Sequence, residues 1–240
     1  MKSIKIVLAV FVATLVTACD FDINLGQVTG NGNVVTEERP VTEDFDRVRG
    51  SAGLDVYLTE GSENKIVVEA DDNLMDIIET EIHNGKLHVT TTKSIGRSKS
   101  KKVHITYTKL SSIEASSGAD VIGNSVVKNE SLTLESSSGA DLQVEVIAKE
   151  VFADASSGSD LRVSGRATRL RADASSGSDI KAKDLEVLTC IADASSGADI
   201  TVNVKESLTV EASSGGDVKY YGDPAAVSAR DGYSGNVRKM

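Results

Sequence analysis

The heptapeptide DASSGSD stands at residues 154–160 and again at 173–179. Relatives occur as EASSGAD (114–120), ESSSGAD (135–141), DASSGAD (193–199) and EASSGGD (211–217). The glycines Gly118, Gly139, Gly158, Gly177, Gly197 and Gly215 are spaced by 21, 19, 19, 20 and 18 residues. Each glycine follows two serines, the second being Ser117, Ser138, Ser157, Ser176, Ser196 or Ser214. An aspartate comes two places after it: Asp120, Asp141, Asp160, Asp179, Asp199 and Asp217. An acid also precedes each glycine by four: Glu114, Glu135, Asp154, Asp173, Asp193 and Glu211. A period near 20 residues is the mark of a solenoid.

The flanks of each unit alternate. LTLES and LTVEA before the corner, and DLQVEV, DLRV and DITVNV after it, place apolar residues at every second position, as half-buried strands require. Each repeat therefore supplies two strands joined by a Ser-Ser-Gly corner, then a return loop such as KNES or SGRAT. One repeat cannot bury its apolar face, but stacked copies share an interior. Helical repeats would need amphipathic segments of about 10–15 residues, and none is visible. The expected fold is an all-β, right-handed parallel β-helix (a β-solenoid) with rungs of 18–21 residues.

The first half is a degenerate version. GSAGLDVYLTEG (50–61) repeats the corner with Gly53 and Asp55, while NKIVVEA, GKLHVTTT and KKVHITYT supply further strands. DDNLMDIIETEIHNG suits either a brief helix or a strand-loop-strand excursion. At the other end, YYGDPAAVSARDGYSGNVRKM loses the corner rule, which suits a capping rung with Tyr220 and Tyr221 over the end. The expected organisation is irregular rungs over 30–110, regular rungs over 111–220 and a cap over 221–240.

The leader carries the clearest functional text. Lys2 and Lys5 precede the apolar run Ile6–Val16, and LVTAC (15–19) ends in a cysteine. This is a charged region, a short apolar region and small residues at a cleavage point. The run is shorter than the roughly 20 residues of a membrane span. LVTAC resembles the bacterial lipobox, which implies a signal peptide over 1–18 and lipid attachment at Cys19. Residues 19–29 are then a tether, and acyl chains hold the protein in the cell envelope. An outer-membrane location is expected. Cys190 falls in the inward phase of LTCIADA, a small core residue without a disulfide partner.

Charge narrows the partners. The 36 acidic residues against 26 Lys and Arg give −10, and loss of Lys2 and Lys5 with the leader makes this −12. Nucleic acid, itself polyanionic, is excluded as a partner. A glycan or a protein at the cell surface fits better. KSIGRSKSKK (93–102) runs against the acidic trend with Lys93, Arg97, Lys99, Lys101 and Lys102 and no acid. It is either a solvated loop or a contact for lipid, glycan or an acidic neighbour.

GNGNVVTEERPVTEDFDRVRGSAGLDVYLTEG (30–61), followed by stacked ASSGAD units, resembles the putative auto-transporter adhesin head domains known as the GIN domain. The resemblance spans about residues 30–235. It implies a right-handed parallel β-helix on a secreted or lipid-anchored bacterial protein, and no catalytic residues come with it.

In register, each of the two acid columns would stack like charges about 4.8 Å apart. Neighbours would repel by roughly 0.9 kcal/mol, and five pairs in each of two columns approach about 9 kcal/mol. Three arrangements offset or exploit this. The aspartates accept backbone N–H bonds from the corners, with glycine supplying a positive φ and serine hydroxyls laddering between rungs. Alternatively Asp141, Asp160, Asp179 and Asp199 hold calcium or another hard cation. That motif resembles the calcium β-roll nonapeptide, but serines replace its first glycines and its period is doubled. Third, paired carboxylates hydrolyse glycosides. Catalysis needs one distinctive cluster rather than the same pair on every rung. The histidines His83, His88 and His104 are scattered and outward. GNGN (30–33) lacks the rest of any phosphate-binding fingerprint.

The expectation is a non-catalytic binding or structural module of a cell-envelope lipoprotein, adhesin-like, with no cofactor. The alternative is a cation-dependent carbohydrate-binding or carbohydrate-active β-helix.

Overall fold

The protein is described by a computed structural model covering residues 26–231 and 234–240. The leader, Cys19 and the first part of the tether lie outside the described residues. Stacked, mostly parallel strands form a β-solenoid of about seven turns. The expected fold class holds.

The strands run as β1 (Val34–Arg39), β2 (Arg47–Gly50), β3 (Asp55–Glu60), β4 (Lys65–Asp71), β5 (Ile78–His83), β6 (Lys86–Thr91), β7 (Lys101–Tyr107), β8 (Ser112–Ala115) and β9 (Asp120–Gly123). The regular body follows as β10 (Val127–Ser137), β11 (Asp141–Ser156), β12 (Asp160–Ala174), β13 (Asp179–Ala194) and β14 (Asp199–Ala212). It ends in β15 (Asp217–Tyr221), β16 (Ala226–Asp231) and β17 (Asn236–Lys239).

Two faces result. On one, the neighbours are β5, β6, β2, β8, β10, the second halves of β11 to β14, and β16. On the other they are β1, β4, β7, β3, β9, the first halves of β11 to β14, β15 and β17. Among the described residues only the pairs β1–β4, β4–β7 and β5–β6, all near the N-terminal end, are antiparallel. Inward Leu142, Leu161, Ile180, Ile200 and Val218 stack in register, as do Leu132, Val151, Leu170, Cys190 and Leu208. Aliphatic columns of this kind explain how so few aromatics suffice. Cys190 is a buried member of its column, and burial pushes its thiol up to about 12.

The expected return loops are absent. KNES and SGRAT lie inside β10 and β12, and pairing continues through them, as at Ser131↔Glu150 and Ala148↔Ala167. Rungs above and below satisfy the backbone there, so the chain bends between faces without leaving the ladder.

The excursion after β4 combines both expected forms: a 3₁₀ turn at Asp72–Ile77, then the hairpin of β5 and β6 closed by Asn84 and Gly85, both at positive φ. Beyond Tyr221 the chain makes one more degenerate rung, with β16 on β14 and β17 on β15. Tyr220 and Tyr221 belong to β15 above that rung rather than covering the end. At the other end the chain is docked from Val28, which pairs with Ile95.

Candidate functional site

The corners are type I′ turns. The second serine of each, from Ser117 to Ser214, has φ between 49° and 56°, and the following glycine between 68° and 79°. Two successive positive φ values define this turn. The glycine was legible in sequence; the left-handed serine was not. A bond from the N–H of Ala119 to the carbonyl of Ser116 (3.2 Å) closes one turn, and Ala198 to Ser195 repeats it. Between rungs, Gly118 N–H donates to Ser138 O at 3.1 Å, Gly139 to Ser157, Gly158 to Ser176, Gly177 to Ser196 and Gly197 to Ser214. The N–H of each aspartate donates to the rung before, as Asp160 to Ala140 O (3.0 Å). Ser159 and Ser178, one place past the glycine, point inward and donate their hydroxyls to Ser136 O (2.7 Å) and Ala155 O (2.8 Å).

No corner N–H bonds a column carboxylate among the described residues, so the expected backbone anchoring of the carboxylates does not occur there. The aspartates do form one column: Asp55, Asp120, Asp141, Asp160, Asp179, Asp199, Asp217 and finally Asn236. Cations two residues after an aspartate compensate it. Arg162 bridges Asp141 (3.4 Å) and Asp160 (2.7 Å), Lys181 bridges Asp160 (2.9 Å) and Asp179 (3.1 Å), and Lys219 reaches Asp199 (3.2 Å). Burial pushes the Asp160 carboxyl up, but Lys181 and Arg162 more than offset this and hold it below its ordinary value. The signal was present in sequence as a basic residue at three of the six Asp-plus-two positions, Arg162, Lys181 and Lys219.

The second column is Glu114, Glu135, Asp154, Asp173, Asp193 and Glu211, with Arg49 before it and Arg230 after it. Lys86 holds Glu114 and Arg171 holds Asp173 (2.9 Å). Partial burial, then the neighbouring acids, raise Glu135, Asp154 and Asp193; Asp120 in the first column is raised likewise. A raised carboxyl makes the folded chain bind more protons than the unfolded one, so stability falls as pH rises through that window. Melting temperature should therefore climb as pH drops from 7 towards about 4.5, near the unfolded carboxyl values. At pH 7 added salt should raise it, and Asp193→Asn by about 1–3 °C. A flat Tm between pH 7 and 5 would show that the columns store no repulsion.

Among the described residues no group of three or more His, Cys, Asp or Glu side chains is placed to hold a metal ion. Asp141, Asp160 and Asp179 hold Arg162 and Lys181 instead. His88 stands in line with the second column, paired with the Arg49 that precedes Glu114, whereas His104 stacks on Tyr57 (5.3 Å) and His83 meets Glu81 (3.0 Å).

Two features went unread in sequence. One is a cleft of about 530 Å³ beside the aspartate column, lined by Arg162, Lys181, Lys183, Asp184, Thr201 and Tyr221 among others. Lys183 lies within the register shift between Ala182 and Glu186, with its Nζ 5.1 Å from the Tyr221 ring centre. The other is Asp71, fully buried. Its carboxylate accepts the N–H groups of Gly32 (2.8 Å), Lys99 (3.2 Å) and Ser100 (3.0 Å). Burial opposes its charge, but these three bonds outweigh burial and lower its pKa. GNGN thus wraps a carboxylate, and Asn31 and Asn33 bind Asp72 beside it.

The repeated corners stack into a β-solenoid that carries two acid columns, with Arg and Lys against some of their members. The chain belongs to the family described as "Putative auto-transporter adhesin, head GIN domain", whose profile matches residues 44–224. Solved structures share the fold. A putative adhesin from Bacteroides fragilis is 19% identical with TM-score 0.82, over 89% of this chain and 100% of that one. A putative lipid binding protein from Parabacteroides distasonis is 20% identical with TM-score 0.72, over 89% and 99%. A putative adhesin from Parabacteroides merdae is 19% identical with TM-score 0.70, over 90% and 99%. No curated protein matches the chain.

Proposed function

We propose that the chain is a lipid-anchored cell-envelope protein whose solenoid is a non-catalytic, adhesin-like binding or structural module. The observation that carries this is the repetition of the corners: the same acid pair recurs on every regular rung, and the chain's own Arg and Lys answer it at several of them. Catalysis calls for one distinctive cluster with shifted acids. The family description and the neighbours named as adhesins point to an extracellular or cell-envelope setting. The lipobox-like LVTAC supplies the anchor at Cys19. The cleft at Arg162, Lys183 and Tyr221 offers cations and one aromatic face to a polar or acidic glycan or protein.

Cys19 is tested by feeding the expressing bacterium a clickable palmitate analogue. The wild-type protein should take up label and stay with the membrane fraction. Cys19→Ser should lose all label and appear soluble. Label on the serine variant, or none on the wild type, would replace the anchor with an ordinary secretory leader.

A further inference from the structure

We infer that the N-terminal end of the solenoid docks on the anionic phospholipid headgroups of the bilayer that holds the anchor, through the basic loop 93–99. The inference rests on Cys19 as the lipid-bearing residue. Its structural basis is separate: the incoming chain pairs with the basic loop itself. Val28 N–H donates to Ser94 O (2.8 Å), Gly96 N–H to Val28 O (3.0 Å) and Gly30 N–H to Arg97 O (2.8 Å). Nine residues separate Cys19 from Val28. At about 3.3–3.6 Å per residue, no conformation places Val28 farther than about 30 Å from the lipid-bearing residue. The last rungs lie on the order of 30 Å farther along the stack. Covalent geometry therefore delivers this end, and this loop, to the membrane.

Charge completes the fit. Lys93, Arg97 and Lys99 are exposed, and none makes an ion pair among the described residues. The carboxylates around them are already occupied. Asp71 is buried on backbone N–H groups, Asp72 is held by the amides of Asn31 and Asn33, and Glu69 lies 3.6 Å from Lys102. Because Asp71 fixes the backbone at Lys99 and Ser100, the three cations are presented on a held loop. The rest of the surface carries the net negative charge, which an anionic bilayer repels once it comes within a Debye length of about 8 Å. Only this end can approach. Each basic residue at such a surface strengthens binding roughly five-fold.

The test uses the mature chain with Cys19→Ser, so that binding reports headgroups and not acyl chains. Partition onto vesicles is measured with phosphatidylcholine alone and with about 30% phosphatidylglycerol. Binding should need the anionic lipid and fall on the order of 100-fold in Lys93→Gln/Arg97→Gln/Lys99→Gln. It should persist in Lys128→Gln/Lys149→Gln/Lys205→Gln, which removes the same charge elsewhere. Equal binding to both vesicles, or equal loss in both variants, would overturn the loop as the contact. Binding to an acidic glycan or to a second copy, but not to vesicles, would do the same.

Orientation is read in the lipidated protein. A fluorophore on Ser94→Cys should be quenched by headgroup-labelled lipid, while one on Ser228→Cys should not; Cys190 is buried and does not compete. Equal quenching overturns the orientation. Loss of palmitate label at Cys19 would remove the anchor yet leave the vesicle result standing, so the two failures are distinct.

Discussion

Gly165→Ala will destabilise the protein by about 3–5 kcal/mol, summing overpacking against the ladder and backbone strain. For a domain of this size that lowers Tm by roughly 10 °C or more. Gly165 sits where β12 bends from one face to the other, at φ +105°. A Cβ there would lie 2.1 Å from the carbonyl oxygen of Val146 and 3.0 Å from its nitrogen. Those atoms belong to the adjoining rung, paired through Val146↔Gly165, and cannot retreat without opening the ladder. Gly177→Ala is the control. Its φ is +69°, but no atom lies within 4 Å of its added Cβ. The cost there is the left-handed conformation alone, about 1–2 kcal/mol. Thermal unfolding of both variants separates the two kinds of glycine. Similar Tm values would mean that the bend relaxes freely.

That contrast marks what the sequence made legible. The corners were visible because the same five residue types recur at one spacing, and a column in space needs only register. The bends were not, because each rung solves them differently. Gly165 is paired with Val146 on one side and Leu185 on the other. No residue type repeats, so SGRAT looked like a loop. Cations opposite the aspartates escaped for a related reason. Arg162, Lys181 and Lys219 serve the column only on some rungs; Gln143 and Thr201 hold the same place on others. A compensation shared between neighbouring rungs leaves no per-rung signature. Asp71 was illegible altogether, since its partners Gly32, Lys99 and Ser100 lie 28 to 39 residues away.

Asp71→Ala should lower Tm on the order of 10 °C, because it takes the buried acceptor away from three backbone N–H donors. Those donors come from two segments, Gly32 from the incoming chain and Lys99 and Ser100 from the basic loop, which are joined besides by the backbone bonds of Val28 and Gly30. Hydrogen exchange should show the loss concentrated in residues 28–33 and 94–100, with β11 to β14 unchanged. Gly30 adds a steric limit on repair, since a Cβ there would meet the Asp71 carboxylate at 2.1 Å. Asp71→Asn keeps the shape but not the charge, and should recover only part of the loss. The pH dependence has a definite sign. A carboxyl whose folded pKa is lowered contributes its stability above the unfolded value near 3.9 and loses it as pH falls through the folded one. The acid columns act oppositely, gaining stability as pH drops towards that value. Wild type should therefore be most stable in mild acid and fail below it. Asp71→Asn should keep the gain between pH 7 and 5 yet flatten the fall beneath pH 4. If the variant falls as steeply as wild type there, Asp71 is not the group whose protonation releases the N-terminal end.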